Sequence, residues 1–134
     1  MTDPDAVRKT IKQAADYFDG RIDFLINNAG ISSPYWPDDK TMEDPSTLDV
    51  WKSYLDVNLT GTFVVSQACI PYMKVVNEED KKKLPGSKHG SAGPCILIVS
   101  SFRGLMSDPN QEGYAATKGM FKLHSNLFDF TDLM

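Results

Sequence analysis

Several features that mark common protein classes are missing from this sequence of 134 residues. No apolar run approaches the roughly 18 residues of a membrane-spanning helix, and residues 1–5 are acidic, unlike a secretion or transit signal. A net charge of -4 leaves no basic surface for nucleic acid. These absences predict a cytoplasmic protein without a membrane or nucleic-acid partner.

Cysteine is also scarce. Cys69 and Cys95 both lie inside apolar runs, and their spacing matches no metal-binding motif. We expect two buried free thiols in a reducing compartment, and neither a disulfide scaffold nor a metal site.

Helical and strand-like patterns alternate along the chain, whose 41% hydrophobic and 24% charged residues are typical of one globular domain. Thr2 or Asp3 can cap a helix over residues 4–18, with Pro4 at its first position. Residues 22–27 and 95–99 are short apolar runs of the kind found in strands buried on both faces.

A long helix is predicted between the two strands, from residue 47 to residue 76. It should bend near Gly61 or Pro71, and a last helix should run from Tyr114 to about residue 127. The helical spacing of the long element rests on Leu48, Trp51, Leu55, Leu59 and Phe63.

The connecting segments have a different composition. Residues 32–45 are rich in proline and should form an irregular loop in which Tyr35 and Trp36 can close over a site. Residues 77–94 are charged and rich in glycine and serine, as expected of a surface insertion, and residues 124–134 form a divergent tail.

The order helix, strand, long helix, strand, helix predicts an α/β layer fold with parallel strands. Two buried strands can pair only with each other. The sequence therefore predicts either further strands or membership of a larger fold.

One pair of residues suggests acid–base chemistry. Tyr114 and Lys118 are four positions apart and share one face of the last helix. An ammonium held within about 4–6 Å of a phenol favours the phenolate, so such a pair can exchange protons near neutral pH. The same spacing also occurs in ordinary helices, so the neighbouring motifs decide the interpretation.

Polar motifs follow both predicted strands. Asn27-Asn28-Ala29-Gly30 lies at the carboxyl end of the first strand and Ser100-Ser101 at the carboxyl end of the second. Open α/β sheets bind ligands at these ends.

In these motifs the sequence resembles the classical branch of the short-chain dehydrogenase/reductase family. The resemblance implies a Rossmann-like, doubly wound parallel sheet in a three-layer α/β/α arrangement, of which residues 1–134 form part. Ser101 precedes Tyr114 by the family's usual interval. The matching segments are N-N-A-G at 27–30, V-N-L-T-G at 57–61, I-V-S-S at 98–101 and Y-A-A-T-K at 114–118.

The resemblance also implies catalytic roles for four residues. Tyr114 would be the general acid in carbonyl reduction and the base in alcohol oxidation, and Lys118 would favour its ionised form and bind the ribose. Ser101 would donate a hydrogen bond to the substrate oxygen. Asn58 would interrupt the long helix and hold a water that links Lys118 to solvent. Taken alone, Ser101 is also a plausible strand-end cap and Asn58 a local bend.

The implied cofactor is NAD or NADP. Asn28, Ala29 and Gly30 would pack against its ribose, together with Tyr114 and Lys118. The implied partners are a small-molecule carbonyl or alcohol and, in a full-length form, further copies of the chain.

The sequence also departs from the family. It contains no G-x-x-x-G-x-G turn for the pyrophosphate, and from His124 onward it leaves the family pattern. We therefore expect residues 1–134 alone to be inactive. Two alternatives remain open: a cofactor-free remnant that acts as an interaction protein, and the family's extended, nucleotide-sugar-modifying branch, against which N-N-A-G argues.

Overall fold

The computed structural model describes residues 2–32, 40–73 and 94–124, with side chains in the last range up to residue 121. The described residues do not include Tyr35, Trp36, nearly all of the 77–94 insertion or the tail beyond residue 124. The elements are α1 (Pro4–Tyr17), β1 (Phe24–Asn27), α2 (Thr47–Tyr54), a π-helical segment (Leu55–Thr60), α3 (Gly61–Met73), β2 (Cys95–Ile98), a 3-10 turn (Phe102–Gly104) and α4 (Glu112–His124).

The first helix begins where the sequence predicts, because Asp3 caps it. Asp3 Oδ1 accepts hydrogen bonds from the backbone N–H groups of Asp5 and Ala6, at 3.0 and 3.1 Å. Gly20 ends the turn after the helix with a φ of +82°, which glycine adopts without strain. The covered face of α1 packs on α3 and consists of Val7, Ile11, Ala14 and Ala15.

The two strands pair in parallel, as the sequence predicts. Phe24 is opposite Cys95, and the register continues to Asn27 opposite Ile98. The carboxyl ends of both strands therefore lie side by side, and they bring residues 28–31 next to residues 99–101.

The prediction that both faces of these strands are buried is wrong for this chain. Phe24, Ile26 and Leu97 are 61%, 64% and 50% exposed, while the alternate residues are covered. Strand side chains alternate between faces, and the covered face of β1 packs on α3, which in turn packs on α1. Cys95 lies on the open face and is exposed. Cys69 is buried in α3, where burial raises the pKa of its thiol, and both cysteines are free.

The long helix is interrupted, and its most buried stripe is not the predicted one. The interruption is the π-helical segment Leu55–Thr60, which ends at Gly61. Leu48 and Phe63, from the predicted apolar stripe, are exposed. Half of the buried stripe is polar, and the stripe comprises Tyr54, Asn58, Thr62, Ser66, Cys69 and Met73.

Hydrogen bonds explain how polar residues occupy this buried stripe. Thr62 Oγ1 donates to the backbone oxygen of Asn58 at 2.7 Å, and Ser66 Oγ donates to that of Thr62 at 2.8 Å. Asn27 Nδ2 in turn donates to Ser66 Oγ at 3.0 Å. Buried polar groups are tolerated when they are paired in this way. The end of β1 is thereby attached to α3.

No helix in the described part of the chain is long and apolar enough to cross a lipid bilayer.

Candidate functional site

Lys118 lies where the two strand ends meet α4. Its side chain is buried, and its ammonium Nζ donates a hydrogen bond to the backbone oxygen of Val99, directly after β2, at 2.8 Å. A Cβ placed on Gly30, in the loop after β1, would lie 3.9 Å from this nitrogen. Burial lowers the pKa of Lys118 from its ordinary value. The cation is therefore held at the carboxyl edge of the sheet.

Tyr114 is one turn before Lys118 on α4 and is partly exposed. The ammonium of Lys118 lies 5.7 Å from the centroid of the Tyr114 ring and 5.4 Å from that of the Phe121 ring. Both distances are within the range of cation–π attraction. The structure thus places a phenol and a cation side by side.

Asn58 is almost fully buried, with 1% of its surface exposed, and it lies in the π-helical segment. Its Oδ1 accepts from the backbone N–H of Ile31 at 2.8 Å, and its Nδ2 donates to the backbone oxygen of Ile31 at 3.0 Å. The same Nδ2 donates to Thr117 Oγ1 at 3.2 Å. Asn58 therefore joins the loop after β1 to α4, and π-helical segments of this kind are frequent at functional sites.

Ser101 begins the 3-10 turn, where its Oγ accepts a hydrogen bond from the backbone N–H of Arg103 at 3.2 Å. Its neighbour Ser100 donates to the backbone oxygen of Lys118 at 2.9 Å. The two serines after β2 thus have separate contacts, one that caps the turn and one that attaches β2 to α4.

Asn28, Ala29 and Gly30 form an exposed loop at the carboxyl end of β1. A Cβ on Gly30 would lie 3.0 Å from Asn58 Oδ1, closer than such contacts normally come. The missing side chain therefore leaves room between this loop and Lys118 Nζ. This open loop lies beside an ammonium that donates only to Val99 O among the described residues.

Sequence reasoning did not identify Tyr54, Thr117 or Ile31. Tyr54 is buried, and its ring centroid lies 6.3 Å from that of Tyr114. Its position four residues before Asn58 was a usable signal, since residues at that spacing share a helix face. Nothing in the sequence marks Ile31, which contributes only its backbone.

A cavity of about 370 Å³ lies between the start of α2 and the start of α4. Its lining includes Trp51, Leu48 and Glu112, and it contains none of the predicted site residues. The described residues also contain no group of three His, Cys, Asp or Glu side chains that could hold a metal ion.

Known structures share this arrangement of elements. The NAD+-bound xylitol dehydrogenase superposes on 94% of this chain with a TM-score of 0.69 and 27% identity, and this match covers 40% of that protein. A short-chain dehydrogenase of Burkholderia cenocepacia in complex with NADP also matches 94% of this chain, with a TM-score of 0.66 and 27% identity, over 42% of its own length.

Proteins related to this chain in sequence are also reductases and dehydrogenases. The 3-oxoacyl-(acyl-carrier-protein) reductase of Thermotoga maritima is 34% identical over 118 residues, which are 88% of this chain and 39% of the relative. Trans-4-hydroxycyclohexanecarboxylate dehydrogenase of Sinomonas cyclohexanicum is 30% identical over 118 residues, again 88% of this chain and 37% of the relative. This chain thus spans about two fifths of the length of these relatives. The sequence model of the short-chain dehydrogenases matches residues 1–127, and the chain therefore belongs to the short-chain dehydrogenase family.

Proposed function

We propose that this segment carries the proton-transfer centre of an NAD(P)-dependent oxidoreductase that interconverts a small-molecule carbonyl and its alcohol. The observation that supports this most directly is the position of Lys118, which is fixed to Val99 O and lies 5.7 Å from the Tyr114 ring centroid. Lysine side chains are mostly exposed to solvent in proteins. Here Lys118 is buried at the sheet edge where this fold class binds ligands.

In this proposal Tyr114 moves the proton. In reduction its hydroxyl donates the proton to the substrate oxygen, and in oxidation its oxygen accepts the proton from the alcohol. Lys118 supports the ionised phenol through its positive charge and offers its remaining N–H groups to ribose hydroxyls. Both directions use the same two residues.

Ser101 and Asn58 are assigned supporting roles. Ser101 donates its hydroxyl hydrogen to the substrate oxygen as negative charge develops there. This role is compatible with its contact in the structure, because a hydroxyl oxygen can accept from Arg103 N while its hydrogen is donated elsewhere. Asn58 would hold the water that connects Lys118 to solvent. Both Nδ2 hydrogens of Asn58 are used by Ile31 O and Thr117 Oγ1, so this water would donate to an oxygen of Asn58.

The cofactor in this proposal is NAD or NADP, held by Asn28, Ala29, Gly30, Tyr114 and Lys118. When bound, the nicotinamide supplies or accepts the hydride. The protein contributes the position of the ribose, the proton and a partly covered site.

A homo-oligomer is proposed for the longer form. Leu48 on α2 and Phe63 on α3 are large apolar side chains that are exposed. Contact with another chain would cover such side chains.

The test is a chimera in which this segment replaces the matching segment of the Thermotoga maritima reductase, which supplies the rest of the domain. We expect Tyr114→Phe to lower kcat by at least about a thousandfold and to change cofactor affinity by no more than a few fold, because the hydroxyl is needed only when the proton moves. Steady-state reduction of a model ketone and cofactor titration measure the two quantities.

Tyr17→Phe is the matched control, because Tyr17 is an exposed tyrosine on α1. It should leave both quantities unchanged. A Tyr114→Phe chimera with the kcat of the parent chimera would refute the proton-transfer assignment.

A further inference from the structure

Thr117 occupies the space between Asn58 and Tyr114. It is completely buried. Its Oγ1 accepts a hydrogen bond from Asn58 Nδ2 at 3.2 Å and donates one to the backbone oxygen of Tyr114 at 2.8 Å. A hydroxyl has one donor and two acceptor positions, so it makes both contacts at once.

These two bonds complete a chain of contacts across three segments. Asn58 is bonded on its other side to both backbone groups of Ile31, at 2.8 and 3.0 Å. The chain therefore runs from the loop after β1, through the π-helical segment, to the first turn of α4. Buried polar groups connected in this way restrict one another's positions.

Helical threonines often bond to a backbone oxygen of the preceding turn without any further role. Thr10 on α1 does this, donating to the backbone oxygen of Ala6 at 2.9 Å on an exposed surface. Thr117 differs because its oxygen also accepts from another element. It therefore links two parts of the fold.

We propose that Thr117 is a positioning residue that sets the relative position of Asn58, the loop at Ile31 and Tyr114. The hydrogen-bonded chain stands on the geometry alone, while its significance for catalysis rests on the proposed function. Thr117 acts through its neighbours and does not touch the reacting atoms.

The experiment compares Thr117→Val with Thr117→Ser in the full 134-residue chain. Valine has nearly the same shape but no hydroxyl, and serine keeps the hydroxyl. The readout is hydrogen exchange at the Ile31 amide, followed by mass spectrometry of peptides that contain Ile31. This amide donates to Asn58 Oδ1, and Asn58 Nδ2 donates to Thr117 Oγ1.

We expect Thr117→Val to speed exchange at Ile31 by about threefold to tenfold, because Asn58 loses one of its fixed partners. Thr117→Ser should stay within about twofold of the unmodified chain, and so should the control Thr10→Val. Peptides from α1 should be unaffected in both Thr117 variants.

Three results would overturn the inference. The first is unchanged exchange at Ile31 in Thr117→Val, and the second is the same acceleration in Thr117→Ser. The third is an equal acceleration throughout α1 and β2 in Thr117→Val, which would indicate general destabilisation. No turnover is measured, so this result does not depend on whether the chain is an oxidoreductase.

Discussion

Lys118 is a single cation held by groups from several parts of the fold. Its ammonium donates to Val99 O after β2 and faces the rings of Tyr114 and Phe121 on its own helix. Burial lowers its pKa below the ordinary value of 10.5. A buried charge has an energetic cost, and this cost depends on pH.

We expect the chain to gain stability relative to Lys118→Met as the pH rises. Because the pKa of Lys118 is lower in the folded state than in the unfolded state, the unfolded chain binds more protons between the two values. The cost is present in full below the lowered pKa and is relieved as the pH approaches 10.5. Urea unfolding of both proteins at a series of pH values measures the difference.

Lys12→Met is a control in which the stability difference should change with pH in the opposite direction. A hydrogen bond from Lys12 Nζ to Asp16 Oδ2, at 2.7 Å, raises the pKa of Lys12. The stability from this pair is present below the unfolded value of 10.5 and is lost as the pH rises through the folded pKa. The chain should therefore lose its advantage over Lys12→Met with rising pH. Two differences that change in the same direction would contradict this account of Lys118.

At the level of elements, the 3-10 turn and α4 are in contact through their backbones. A Cβ on Gly104 would lie 2.7 Å from the backbone oxygen of Lys118 and 3.0 Å from Gly119 N. Backbone atoms inside a helix cannot move away as a flexible side chain can. This contact fixes the distance between the segment that carries Ser101 and the helix that carries Tyr114.

Gly104→Ala should therefore destabilise the chain by about 1–3 kcal/mol, the usual cost of forced overpacking. Gly119→Ala is the matched control from the other side of the same contact. A Cβ there would meet Gly104 O at 3.4 Å, an ordinary contact, and alanine is the better helix former. Urea unfolding should show Gly119→Ala equal to or above the unmodified chain. Equal losses in both variants would show that the close approach has no special cost.

The sequence predicted the helices and strands better than it predicted which of their residues are buried. The cap at Asp3, the parallel strands and the helix at Tyr114 follow from local patterns, and the structure confirms them. The burial of Thr62 and Ser66 was not predictable, because both residues are polar. Their partners are backbone oxygens one turn earlier and, for Ser66, also Asn27 Nδ2, and no sequence pattern marks these contacts. The exposure of Ile26 depends on which helices cover the sheet, and that is a property of the whole fold.

Part of the site was predictable, because local spacing and the fold class locate some of its residues. The spacing of Tyr114 and Lys118 locates them on one helix face, and their strand-end neighbours follow from the fold class. Thr117 gave no separate signal, because it lies within the Tyr-to-Lys spacing and its hydroxyl matters only through Asn58.

At the scale of the whole molecule, the chain corresponds to about two fifths of its relatives, 39% of the Thermotoga maritima reductase. Its site contains the residues proposed for the ribose and the nicotinamide. The sequence contains no G-x-x-x-G-x-G turn, the element that binds pyrophosphate at a helix N-terminus in dinucleotide-binding folds.

We expect the 134-residue polypeptide to show no saturable binding of NAD(H) or NADP(H) at micromolar concentrations. A dissociation constant of 1 μM requires about 8 kcal/mol, and much of this normally comes from the phosphates. Isothermal titration with each dinucleotide is the direct measurement, with the chimera described above as the positive control. A dissociation constant near 1 μM for the polypeptide itself would disprove the expectation.

The hydrogen bond from Lys118 to Val99 also depends on the register of the two strands. In the observed register Asn27 is opposite Ile98, Val99 N donates to Asn27 O at 2.9 Å, and Val99 O accepts from the Lys118 ammonium at 2.8 Å. A slip of one residue would move this oxygen by roughly 3.3 Å along the strand and turn every β2 side chain to the opposite face. Misaligned chains would leave the buried ammonium without its acceptor, so the residue proposed to assist proton transfer also penalises the wrong strand register during folding.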